Sequence, residues 1–236
     1  MGFPRGSHPC WPLYRKKRTI SWPVPQDYSG GMKIGILGAG HIGQALARLL
    51  AEAGHDVGIS NSRGPDTLRD LAGRLGHGVT AYSSEDAARF GELIIETVPF
   101  GHYNDLPTAQ MNGKIVIDTA NYYPERDGKI DLGGLSESAF MARHLGSARV
   151  VKAFNAIASA DLESQGDASK ALDQRRAILI ASDDAEAKAV VSGLIEAIGF
   201  VAVDNGDLEQ SKNQQPGTPI YGQDATAQQA REVLGL

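Results

Sequence analysis

The chain has 236 residues, 42% of them hydrophobic and 22% charged, with a net charge of −5. This balance excludes wholesale disorder and nucleic-acid binding by bulk electrostatics, and no apolar run reaches the roughly 18 residues of a membrane span. The single cysteine, Cys10, supplies neither an internal disulfide nor a thiolate cage. Glycine, at 28 residues, is the unusual component and directs attention to tight turns.

The first 31 residues stand apart. They hold five of the 11 prolines, Trp11, Trp22, Cys10 and five basic residues against one acid, Asp27. Residues 32–236 carry 18 basic and 27 acidic residues, a net −9. Proline resists both helix interiors and central strands, so residues 1–31 are expected to form a disordered extension. Met32 is then expected to be the biological start, and what precedes it a start-site artefact or dispensable tail. The basic run Arg15–Arg18 has no apolar stretch after it, which argues against a secretory signal.

From Met32 the pattern changes. Lys33-Ile-Gly-Ile-Leu37 reads as a short buried strand. Gly38-Ala39-Gly40-His41-Ile42-Gly43 follows, and then Ile42, Ala45, Leu46, Leu49, Leu50 and Ala53 mark one face of an amphipathic helix. Gly54 ends that helix, and Val57–Ser60 reads as the next strand. Together these have the size of a βαβ unit. In that setting Gly38 permits the tight turn, Gly40 lets backbone approach a pyrophosphate, and Gly43 lets helix pack on strand. The amides opening the helix would face the phosphates, with the His41 side chain pointing outward. Gly38, Ala39, Gly40, His41, Ile42 and Gly43 are the first cofactor-binding candidates. A glycine-rich turn that holds nothing is the competing reading.

The end of the second strand selects between dinucleotides. NAD sites place an acid there for the ribose 2′-hydroxyl, whereas this chain has Ser60-Asn61-Ser62-Arg63 and no acid until Asp66. A 2′-phosphate is repelled by a carboxylate and held by a guanidinium with hydroxyl donors. The tetrapeptide therefore favours NADP over NAD; a solvated turn before Gly64-Pro65 is the alternative.

Further strands are expected at Leu93–Val98, ending at Pro99-Phe100; at Lys114–Ile117, ending at Asp118-Thr119-Ala120-Asn121; and at Arg149–Phe154, ending at Asn155. Ala177–Ala181 precedes a helix capped by Asp183 or Asp184 that runs to Ala197, and Phe200–Val203 follows. Strands alternating with helices predict an α/β fold, a doubly wound and mostly parallel Rossmann sheet over residues 32–205. Ligands of such sheets sit at the carboxyl ends of the strands, where Val98, Pro99, Phe100, Asn121 and Asn155 fall. Residues 206–236 are expected to be a tail that closes the cleft.

Taken together, Gly38–Gly43, Asn61-Ser62-Arg63, Val98-Pro99 and Val150-Val151-Lys152-Ala153-Phe154-Asn155 resemble the NADPH-dependent deazaflavin (F420) reductase family. The same set is similar to the cytosolic oxidoreductase domain of the six-transmembrane metalloreductases. The resemblance spans about residues 32–205. It implies NADPH lying along the strand ends and passing hydride to a flavin-type ring stacked on the nicotinamide. By position it implies that Ser62 and Arg63 hold the 2′-phosphate and that Val98, Pro99 and Phe100 line the nicotinamide half, with His102 just beyond. Asn155 stands where the deazaflavin reductases carry histidine and matches the metalloreductase domains instead.

The tail is too short for the helical substrate domain of hydroxyacid dehydrogenases or imine reductases. A shallow cleft suits a planar acceptor, because hydride transfer chiefly needs alignment and exclusion of water. His102 is a catalytic candidate for orienting the acceptor or donating a proton, against a merely solvated loop histidine. Asn155 is a second, for hydrogen-bonding the carboxamide or the acceptor ring, against a turn residue. Lys152 is expected to close a strand end and Tyr221 to bury the tail. No histidine shows metal-ligand spacing, so no metal is expected. The expected function is a cytoplasmic, homodimeric NADP(H)-dependent oxidoreductase whose partner is a small-molecule acceptor, deazaflavin (F420) or flavin, with no nucleic acid or membrane. A non-catalytic NADPH-binding redox sensor or regulatory module is the alternative, ahead of a reductase of small carbonyls or imines.

Overall fold

The computed structural model describes residues 31–76 and 78–236, so the expected extension, apart from Gly31, lies outside the described residues. Strands β1 (Lys33–Leu37), β2 (Asp56–Ser60), β3 (Val79–Tyr82), β4 (Leu93–Glu96), β5 (Ile115–Asp118) and β6 (Arg149–Lys152) form a parallel sheet in the order β3-β2-β1-β4-β5-β6. This is the strand order of a dinucleotide-binding Rossmann sheet. Strands β7 (Ala177–Ile180) and β8 (Val201–Asp204) form a parallel pair. An antiparallel bridge between Lys152 and Ala181 attaches β7 to the β6 edge.

The helices are α1 (His41–Glu52), α2 (Arg69–Leu75), α3 (Ser84–Phe90), α4 (Thr108–Met111), α5 (Pro124–Asp127), α6 (Glu137–Leu145), α7 (Ser159–Ser164), α8 (Ala185–Ala197) and α9 (Ala227–Leu234). Side chains alternate across the central strands. Ile34, Ile36, Ile95 and Val151 are buried with Leu46 of α1, Leu162 of α7 and Val191 of α8. Leu37, Ile94, Val116 and Val150 are buried on the other face with Ala87 of α3 and Met141 of α6. Helices therefore cover both faces, which is why these strands read as near-continuous apolar runs. Gly35 sets how closely α3 approaches: a Cβ there would lie 2.2 Å from the Ala87 carbonyl oxygen.

Asp184, rather than Asp183, caps α8. Its carboxylate accepts the Ala187 amide at 2.9 Å and the Arg149 side chain at 2.6 and 2.9 Å. The tail packs back on the β7–β8 pair, burying Ile220, Ala225 and Ala230 against Leu179 and Val203. Its last helix opens with a capping box at Thr226 and Gln229.

Candidate dinucleotide cleft

The carboxyl ends of β1, β2 and β4 border a cleft of about 770 Å³, the size range of cofactor sites. It lies where the strand order reverses around β1. Gly38, with φ 113°, makes the turn out of β1, and a Cβ there would sit 2.5 Å from Thr97 Oγ1. At Gly43 a Cβ would sit 2.2 Å from the Gly38 carbonyl oxygen, so the first turn of α1 rests directly on the strand exit. A Cβ on Gly40 would meet nothing within 4 Å; that position faces open cleft. Helix α1 has no side-chain cap and no acid in its first turn, which leaves its leading amides suited to an anion. Gly38, Ala39 and Gly40 line the cleft, as does Gln44, whose side chain donates to the Ala39 carbonyl at 2.7 Å. His41, Ile42 and Gly43 do not; they contribute as backbone.

Asn61, Ser62 and Arg63 line the wall beyond β2. Asn61 shapes it: its Oδ1 accepts the Arg63 amide at 2.9 Å, and its Nδ2 donates to Thr67 Oγ1 at 3.0 Å. Ser60 corrects the sequence expectation. It is fully buried and its hydroxyl donates to the Ile36 carbonyl at 3.1 Å, because a residue still inside β2 turns into the sheet. The acid among the lining residues is Asp105, at the other end of the cleft.

That other end is lined by Thr97, Val98, Pro99 and His102. His102 Nδ1 lies 3.0 Å from Asp105 Oδ2, both side chains being exposed. Phe100 does not line the cleft as expected. It is fully buried, packed among Tyr103, Tyr122 and Phe140 at ring separations of 5.4 to 6.1 Å. An aromatic beginning a short helical turn gains more from that cluster than from a solvated wall.

Beneath this end, Glu96, Asp118 and Lys152 stand in register on β4, β5 and β6, each fully buried. Asp118 is well supplied with donors: Ala120 N at 3.0 Å, Ser138 Oγ at 2.8 Å and Lys152 Nζ at 3.3 Å. Lys152 also donates to the Ala120 carbonyl. Glu96 Oε1 accepts the Val98 amide at 2.8 Å, whereas its Oε2 has no partner among the described residues. Burial first, and then the neighbouring Asp118 charge, push the Glu96 carboxyl well above its ordinary range. The row therefore sets the Lys152–Asp118 ion pair, at 3.3 Å, beside a Glu96 carboxyl that holds its proton more tightly than usual, and it anchors the loop carrying Val98.

The two strand-end asparagines also depart from expectation. Asn155 is buried; its Nδ2 donates to Asn121 Oδ1 at 3.0 Å and to the Gln214 carbonyl at 2.8 Å. Its Oδ1 accepts Gln214 Nε2 at 2.9 Å. Asn121 Nδ2 donates to the Asn155 carbonyl at 2.8 Å and to Tyr221 Oη at 3.2 Å. Neither lines the cleft, and their amides are spent on holding the tail. Phe154, with φ 61°, stands in the left-handed region and turns Asn155 inward. The tail accordingly does not close the 770 Å³ cleft, whose lining ends at Pro107; with Asn155 it encloses a separate cavity of about 20 Å³.

Sequence reasoning missed Thr67, Leu68, Leu71 and Arg74, which continue the Arg63 wall. Their spacing of three and four residues is a helical face, legible once the segment after Pro65 is recognised as helical. Among the described residues no three His, Cys, Asp or Glu side chains gather as metal ligands, and no helix is long and apolar enough to cross a membrane.

The family model described as NADP oxidoreductase coenzyme F420-dependent matches residues 33–122, from β1 through the end of β5. A hypothetical protein from Sinorhizobium meliloti, SMa0349, superposes with a TM-score of 0.73 at 32% identity, over 84% of this chain and 96% of that one. A candidate F420-dependent NADP reductase from Arthrobacter sp. FB24 superposes at 0.63 and 26% identity, over 78% and 88%. The metalloreductase STEAP3 of Rattus norvegicus is 32% identical over 182 residues, which are 76% of this chain and 35% of that protein. The chain thus spans about a third of the length of that metalloreductase.

Proposed function

We propose that this chain, which belongs to the coenzyme F420-dependent NADP oxidoreductase family, moves hydride between NADP(H) and a planar flavin-like or deazaflavin acceptor. The observation that carries the reading is the pairing of a glycine-floored cleft with an acid-free adenosine end where Ser62 and Arg63 stand. Among the described residues the Ser62 hydroxyl and the Arg63 guanidinium have no hydrogen-bond or ion-pair partner, so both are available to a phosphate.

The residues divide the work by position. Gly40 and the leading amides of α1 take the pyrophosphate, with Gly38 and Gly43 holding that turn against Thr97. Ser62 and Arg63 take the adenosine phosphate. Val98 and Pro99 flank the nicotinamide, the Val98 amide being fixed from below by Glu96. When bound, the cofactor supplies or accepts the hydride. Asp105 favours the His102 tautomer with its proton on Nδ1, leaving Nε2 to exchange a proton with the acceptor. The metalloreductase likeness covers only part of that relative, and a metal-ion acceptor is the further arm to include.

NADPH oxidation is followed with deazaflavin, FMN, FAD, quinones and ferric chelates in parallel. Turnover with a planar acceptor is expected. Tight NADPH binding with no turnover of any acceptor would make the chain a non-catalytic sensor instead. Arg63→Asp is expected to lower NADPH affinity about a hundredfold while leaving NADH little changed; equal losses would overturn the NADP assignment.

A further inference from the structure

Three arginines follow β2 within one short stretch, and they are not equivalent. Arg69 is held by Asp66 at 2.5 Å, an exposed pair three residues apart, and does not line the cleft. Arg63 and Arg74 do line it. Arg74 is exposed and forms no ion pair among the described residues, although Asp70 stands at the helical spacing that would offer one. Thr67, Leu71 and Arg74 lie at i, i+4 and i+7, one face of the helical segment, and all three border the cleft. Side chains on a helix lean toward its N-terminus. That lean favours an Arg74 side chain directed along the Leu71–Thr67 face toward the β2 exit, after which Ser62 and Arg63 stand.

We infer that Arg74 is a second specificity-determining cation of the cleft, completing with Arg63 a two-guanidinium clamp on the adenosine 2′-phosphate. The inference rests on the NADP reading above and extends it to a residue outside the β2 loop. Leu68 is buried and Leu71 half-buried beside it, giving an apolar wall for the adenine, and both cations border the same cleft. With no acid on this wall, a dianionic phosphate is the group whose charge the pair would balance.

Calorimetry with 2′-phospho-ADP-ribose and with ADP-ribose tests the assignment without any redox readout. Wild type, Arg63→Ala, Arg74→Ala and Arg74→Lys are compared at two salt concentrations, with thermal melts confirming that each variant folds. Arg74→Ala is expected to weaken the phosphorylated probe about ten- to hundredfold, to leave ADP-ribose unchanged, and to flatten the salt dependence. Arg74→Lys is expected to recover part of the loss, since it keeps the charge without the fork. Equal weakening of both probes would overturn the inference, placing Arg74 on the adenine or pyrophosphate. No change with either probe would overturn it also. If Arg63→Ala abolishes discrimination and Arg74→Ala does not, the inference fails alone. If wild type does not distinguish the probes, the NADP reading fails and takes the inference with it.

Discussion

Asn155 and Gln214 hold each other reciprocally across 59 residues: Nδ2 of the first donates to the backbone carbonyl of the second at 2.8 Å, and Nε2 of the second returns to Oδ1 of the first at 2.9 Å. Both side chains are buried, at 4% and 0% exposure. Asn205 joins them through Nδ2 to Gln214 Oε1 at 3.0 Å. The end of β6 and the tail are thus one hydrogen-bonded unit.

Asn155→Ala takes from the buried Gln214 its 2.9 Å acceptor and the donor to its backbone carbonyl, leaving Asn205 and the Leu179 carbonyl as side-chain partners, and is expected to cost about 1–3 kcal/mol of stability. A double-mutant cycle with Gln214→Ala should show a coupling of about 0.5–3 kcal/mol in denaturant unfolding. NADPH affinity should be unchanged, because neither residue borders the cleft. A loss of affinity with intact stability would return Asn155 to the cofactor.

The turn glycines separate stability from binding. Gly43→Ala drives a Cβ into the Gly38 carbonyl and is expected to destabilise the fold by about 1–3 kcal/mol. Gly40→Ala meets open space and should melt like wild type while losing dinucleotide affinity, since its methyl occupies the approach to the α1 amides. Melting curves and nucleotide titrations of the two variants check this.

Two carboxyls give pH dependences of opposite sign. The Glu96 carboxyl titrates higher folded than unfolded, so its contribution is complete below about pH 4.5 and is lost as pH rises through the folded value. Glu96→Gln carries no titrating group, keeps an acceptor for Val98, and should remove that decline. Asp184 is lowered to about 2 by its Arg149 hydrogen bonds, so its contribution is complete above 3.8 and is lost as pH falls toward 2. Asp184→Asn should flatten the acid limb. Unfolding by denaturant at stepped pH distinguishes the two.

Lys152→Met removes the one ammonium from the buried row and leaves the Asp118 carboxylate without its counter-charge. A cost of about 3–5 kcal/mol is expected, measured by denaturant unfolding. Adding Asp118→Asn should recover part of it, as the amide Oδ1 still accepts from Ala120.

The β1–turn–α1–β2 unit was legible because strand alternation, glycine spacing and helical periodicity coincide there. Strand β3 was not: Val79–Tyr82 is a four-residue edge strand, mostly half-buried, with neither an apolar run nor a clean alternation. Ser62, Arg63, Val98, Pro99 and His102 border the cleft as their positions just past strand ends suggest. Asn121 and Asn155 satisfy the same positional rule yet turn inward, since their partners, Gln214 and Tyr221, come from distant sequence that no local pattern reveals. Phe100 and Ser60 differ by one step of a strand or turn, which sends a side chain to the opposite side. Arg74 requires the helical register of α2, which the Gly64-Pro65 break conceals.

Among the described residues, all those bordering the cleft fall within one stretch, Leu37 to Pro107. The whole lining therefore travels with one exchangeable segment of chain, while the Asn155–Gln214 unit stays with the other half.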